Sequence, residues 1–148
     1  MKLMTTGHVR ALSLIMLAIL CGCSVATPPA PDVLTGRYAG MLPCADCEGI
    51  RIVLELYEKT TDGSPTRYTL ERTYLGKPDG DRIYIQVGEW TILGGDRDNP
   101  DSTVYQLDPG KPGSTQSFLR RGDRELVLLD QELGEIQSAH PDTLTRTL

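Results

Sequence analysis

Apolar and polar residues alternate along several segments of this chain from Ile50 onward. Ile50, Ile52, Leu54 and Leu56 fall on one face of Ile50–Glu58, with Arg51, Val53, Glu55 and Tyr57 on the other. A period of two with β-branched residues predicts a half-buried strand. Arg67–Leu75 repeats the pattern, with Tyr68, Leu70 and Tyr74 set against Thr69, Glu71 and Thr73. Arg82–Leu93 reads as a long strand in which Gly88 predicts a bulge or bend. Shorter strands are expected at Arg37–Met41, Thr103–Leu107, Gln116–Arg121, Glu125–Leu129 and Thr143–Thr147. Turn residues separate them: Asp62-Gly63-Ser64-Pro65, Gly76 to Asp81, Gly94 to Asp101, Asp108 to Gly113 and Arg121-Gly122-Asp123. No helical stripe runs longer than three turns. About eight antiparallel strands joined by short turns form a meander, and closing it into an all-β barrel removes its aggregation-prone edges.

Composition sharpens this. With one Trp and one Phe in 148 residues, the core must be largely aliphatic. Twenty acidic against fifteen basic residues, a formal net charge of −5, argue against nucleic acid, whose binders carry basic faces. The charges are interspersed, as on a solvated surface.

The N-terminus departs from the strand pattern. Lys2, His8 and Arg10 precede an apolar run, Ala11 to Leu20, far shorter than the roughly 20 residues of a membrane-spanning helix. It has the size of a signal-peptide core. Leu20-Cys21-Gly22-Cys23 resembles the lipobox of bacterial lipoproteins, with Cys23 in the acceptor register and Cys21 outside it. That resemblance implies a signal peptide over residues 1–22, handling by the lipoprotein-sorting machinery, and a membrane anchor on Cys23. Several acyl chains there would hold firmly where one chain is marginal. Ser24 replaces the Asp that retains lipoproteins at the inner membrane, which favours the periplasmic face of the outer membrane. Residues 23–34, with Pro28, Pro29 and Pro31, read as an extended tether, leaving 35–148 as one domain.

Of four cysteines, one leaves with the signal and one is acylated; Cys44 and Cys47 remain. In an oxidising envelope such a pair tends to form a disulfide. Three chemistries stay open for it. A structural disulfide would pin the loop between two strands. Two thiolates would suit Cu(I), a soft ion, with Met41 as a candidate third ligand. Thiol–disulfide exchange is the weakest, because Asp46 and Glu48 flank the pair where a reactive Cys-x-x-Cys has cations or a helix N-terminus.

The run Gly36-Arg37-Tyr38-Ala39-Gly40-Met41-Leu42-Pro43-Cys44-Ala45-Asp46-Cys47-Glu48-Gly49-Ile50 resembles the N-terminal domain of the NlpE copper-homeostasis lipoproteins. Tyr74-Leu75-Gly76-Lys77, Gly88-Glu89-Trp90, Leu128-Leu129-Asp130 and Ile136-Gln137-Ser138 are similar in order and spacing, so the likeness covers about Thr35 to Arg146. The resemblance implies a small lipocalin-like barrel, an outer-membrane anchor, and a role in copper tolerance and envelope-stress signalling through a partner such as an inner-membrane sensor kinase. Two features depart from the family pattern. The expected second, OB-like domain lies beyond the part of the family this chain matches, and Ala139-His140-Pro141 replaces a Leu-Asn-Tyr.

Other candidates are weaker. His140 reads as a loop residue. Tyr68, Tyr84, Trp90 and Tyr105 are expected to fill the core or cover its ends. Asp96 to Asp101 lacks the ligand spacing of a calcium loop. No Ser or His is set beside a base and an orienting acid, so no enzyme is expected. A copper-linked stress-signalling lipoprotein is the expected function; the alternatives are a carrier holding a small apolar ligand inside the barrel or a purely structural envelope lipoprotein. The bulky inward row Ile50 to Leu56 favours the first.

Overall fold

A computed structural model describes residues 31–137 and 142–148. The signal segment, most of the tether and residues 138–141, with His140, lie outside the described residues. Eight strands follow one another: β1 Asp32–Leu42, β2 Gly49–Lys59, β3 Pro65–Leu75, β4 Arg82–Gly94, β5 Thr103–Leu107, β6 Gln116–Arg121, β7 Glu125–Leu128 and β8 Thr143–Arg146. Each pairs antiparallel with the next, and β8 returns to β1 to close the barrel. The all-β meander expected from alternation is the observed fold.

The inward row is the one read from the sequence. Register places Tyr38, Leu54, Leu70 and Gln86 side by side on β1 to β4, and Gly40, Ile52, Arg72 and Tyr84 in the next layer. Ile52, Leu54, Leu56, Tyr68 and Leu70 are buried against Tyr38, Trp90, Leu107, Phe118, Leu126 and Leu144. Each such side chain withdrawn from water contributes roughly 1.5–3 kcal/mol. The Trp90 indole N–H donates to the Tyr57 carbonyl at 2.8 Å, so its burial leaves no orphan donor.

Three details differ from expectation. β1 starts at Asp32, five residues before Arg37 and inside the segment assigned to the tether, because the long β2 offers it partners from Ile50 to Lys59. Tyr84 stands exposed instead of covering the core, whereas Tyr68 and Trp90 are buried. Gly88 makes no bulge: the β3–β4 register runs unbroken through it. A Cβ there would fall on the Asp108 carboxylate and the Tyr68 ring, so Gly88 is a space requirement.

The walls are uneven. β1 to β4 run to 11–13 residues, whereas β5 to β8 have four to six. The β1–β2 loop and the β3–β4 turn therefore stand at one end of a tall wall, beyond the filled part of the barrel. This end is the mouth.

Candidate functional site

The β1–β2 loop at the mouth carries the cysteine pair. Cys44 and Cys47 are disulfide-bonded, their Cα atoms 5.4 Å apart. Both are half-buried. Closing this short loop stabilises the chain by roughly 2 kcal/mol through the entropy it removes from the unfolded chain.

The loop is strapped to the β3–β4 turn. The Glu48 amide donates to the Leu75 carbonyl at 3.0 Å. Lys77 Nζ pairs with the Asp46 carboxylate at 2.6 Å and reaches the Asp46 carbonyl at 3.4 Å. The hydrogen bond and charge of Lys77 hold the Asp46 carboxyl below the usual carboxylate range. Gly76 makes the strap possible: its φ is +67°, and a Cβ would collide with the Glu48 side chain.

The ligand-bearing atoms of Cys44, Asp46 and Cys47 lie within 4.8 Å of one another. An Asp46 oxygen sits 3.4 Å from the Cys44 sulfur, and the Gly49 carbonyl oxygen 3.4 Å from that of Cys47. A carboxylate beside a sulfur disfavours thiolate formation, the opposite of what a thiol oxidoreductase requires. Asp46 is a hard oxygen donor already engaged by Lys77. The soft donors are the two sulfurs, in their reduced form. Met41 pairs with Arg51 on the outer face of β1, and its sulfur lies 2.9 Å from where a Gly49 Cβ would stand. It thus sits over the glycine whose carbonyl faces Cys47.

Beside the loop a cleft of about 670 Å³ is lined by Asp46, Arg72, Tyr74, Lys77, Arg82, Tyr84 and Gln116. Tyr74 and Tyr84 meet edge to face at 5.5 Å. Arg82 pairs with Asp79 at 2.8 Å, and Arg72 donates to Gln86 at 3.0 Å. The lining sets three cations and one carboxylate beside two tyrosine rings, more charge than the interior of a carrier for apolar ligands would hold.

Below the cleft lies a network that sequence reasoning missed. Asp108, only 4% exposed, accepts from the Tyr68 hydroxyl at 2.6 Å, Gln86 Nε2 at 2.9 Å and Lys111 Nζ at 2.8 Å. Burial opposes its ionisation, but the hydrogen bonds from Lys111, Tyr68 and Gln86 win and hold it below the ordinary range. Burial, and then the Asp108 carboxylate, push the Tyr68 hydroxyl up. Asp96, in the loop read for calcium spacing, accepts at its Oδ1 from the amides of Asp98 and Asn99. That is the chemistry of a turn.

The model of the NlpE N-terminal domain matches residues 38–139. The chain belongs to the NlpE N-terminal domain family. It is 30% identical over 145 residues to Lipoprotein NlpE of Escherichia coli strain K12, a match covering 92% of this chain and 55% of that protein. The crystal structure of the Cpx pathway activator NlpE from Escherichia coli is similar at 28% identity with a TM-score of 0.49, over 76% of this chain and 48% of that one. The chain thus spans about half the length of the NlpE relatives it matches. The match includes the cysteine loop, Lys77 and Asp108, so the site described above lies within the NlpE domain.

Proposed function

We propose that this NlpE-type domain is a lipoprotein of the outer membrane that links copper to envelope-stress signalling and acts without catalysis. Cys23 carries the lipid, residues 1–22 are the signal peptide, and the chain from about residue 23 to β1 is the spacer, all handled by the lipoprotein-sorting machinery. The working part is the Cys44–Cys47 loop. Oxidised, it is the strap that holds the mouth in shape. Reduced, its two thiolates bind Cu(I), and Met41 adds a thioether when the outer end of β1 turns toward them. Either change alters the loop that Lys77 ties to the β3–β4 turn, and a sensor kinase of the inner membrane reads the altered surface. The observation that carries this reading is the position of the pair: two half-buried cysteines on the β1–β2 loop at the mouth, which Lys77 ties to the β3–β4 turn through Asp46. The filled core and the charged groups lining the cleft favour this reading over a carrier of apolar ligands.

Thiol trapping of the membrane-bound protein, with and without added copper, tests the proposal. The expected result is a copper-dependent change in the fraction of free Cys44 and Cys47. Cys44→Ser and Cys47→Ser should lower copper tolerance while the barrel stays folded, and Met41→Leu should weaken Cu(I) binding less than either. A pair that stays oxidised at every copper level, in a protein that binds no Cu(I) when reduced, would overturn it.

A further inference from the structure

The uneven walls leave half of β4 with one neighbour. Residues Arg82 to Glu89 pair with β3, and only Trp90 to Gly94 pair with β5. The Glu89 carbonyl accepts from the Asp108 amide on the β5 side. Because main-chain groups alternate sides along a strand, the odd residues Ile83, Ile85 and Val87 turn their amides and carbonyls the same way. Beyond Asp108 no described strand meets them. These residues also show their side chains: Ile83 is 59% exposed, Ile85 65% and Val87 64%. A sheet edge that is unpaired, uncharged and apolar on one face is a template for another strand.

We propose that this edge pairs with the same edge of a second copy of the chain. The sequence is self-complementary about Ile85. In an antiparallel pair with its two-fold axis through Ile85, Ile83 of each copy lies opposite Val87 of the other, and Ile85 opposite Ile85. All three are edge-facing residues, so this single register satisfies three amides and three carbonyls on each copy. Every opposed pair on the outer face is then aliphatic, the combination that stabilises cross-strand neighbours. On the inner face Tyr84 lies opposite Gln86, and Arg82 opposite Gly88, so no like charges meet within the register. A different partner would need its own matching row; a second copy supplies it by symmetry, as an isologous interface requires. The full sequence has a formal net charge of −5, and loss of Lys2 and Arg10 with the signal peptide leaves each copy more acidic still, so the pairing tightens as salt screens that repulsion. A basic partner on this edge would show the reverse. The inference stands apart from the cysteine chemistry proposed above.

The test is site-specific photo-crosslinking of the full chain in cells, with a benzophenone amino acid at 83, 85 or 87 and two epitope tags on co-expressed copies. The expected result is an adduct of twice the chain mass that carries both tags from all three positions, and none from Asp123 on the β6–β7 turn. Ile85→Lys, read by the probe at 87, should cut that adduct about tenfold, since an edge lysine blocks strand addition. Ile85→Val should preserve it. Because Ile85 is exposed, thermal melting should show both variants folded. Absence of the double-tagged adduct, adducts only with other proteins, or an adduct that survives Ile85→Lys would each overturn the proposal.

Discussion

The two ends of the barrel are built on different terms. Away from the mouth, Leu54, Leu56, Tyr68, Leu70, Leu107, Leu126 and Leu144 are almost wholly withdrawn from water, and every strand has two neighbours. At the mouth the same tall strands carry Arg72, Tyr74, Arg82 and Tyr84, a disulfide loop, and a β4 edge with one neighbour. Energy is concentrated where burial is complete. Chemistry is concentrated where it is not. The contrast explains how a small domain can carry two half-buried cysteines on a surface loop without staking its fold on them.

Substitutions should separate the two ends in order of size. Leu54→Ala opens a cavity among packed side chains and should cost about 3 kcal/mol in a denaturant titration. Ile85→Ala on the exposed edge should stay within about 0.5 kcal/mol. Asp108→Asn, at the boundary, should cost about 2 kcal/mol by weakening three hydrogen bonds to a buried group.

It should also change the acid limb of the stability profile. The folded Asp108 carboxyl lies below its unfolded value, so its contribution is complete above the ordinary carboxylate range. That contribution is lost as pH falls below about 4. The variant should therefore lose less stability than the parent between neutral pH and acid, as read from thermal melts across that range. Cys44→Ser should cost about 2 kcal/mol, the loop-closure contribution. Lys77→Met should be smallest, because Asp46 is exposed. Its effect should be on rate: the melting temperature should hold while dithiothreitol reduces the disulfide faster.

Much of this division is written in the alternation. The strands from β2 to β8 begin and end within two residues of the boundaries that period two and the Gly, Pro and Asp turns predict. β1 was harder to read, since Asp32-Val33-Leu34 has no alternation of its own and is drawn into the sheet by β2. The cysteine pair was legible because both members lie in one loop. Its strap was not, because Lys77 comes from 31 residues away. Arg72 left a trace: it stands at an inward position between Leu70 and Tyr74, a polar residue on an apolar face. Asp108 left none, as a turn residue whose burial depends on the absence of a Gly88 side chain. The open edge of β4 was equally hidden, since it follows from the shortness of β5 and not from β4 itself.

Native-state hydrogen exchange on the oxidised and reduced protein tests most directly whether the cysteine loop can change state while the barrel stands. Reduction should speed exchange at Glu48 and the β3–β4 turn and leave Leu54, Val104 and Leu126 protected to the same degree. Faster exchange at those core amides on reduction, or no change at Glu48, would contradict the account.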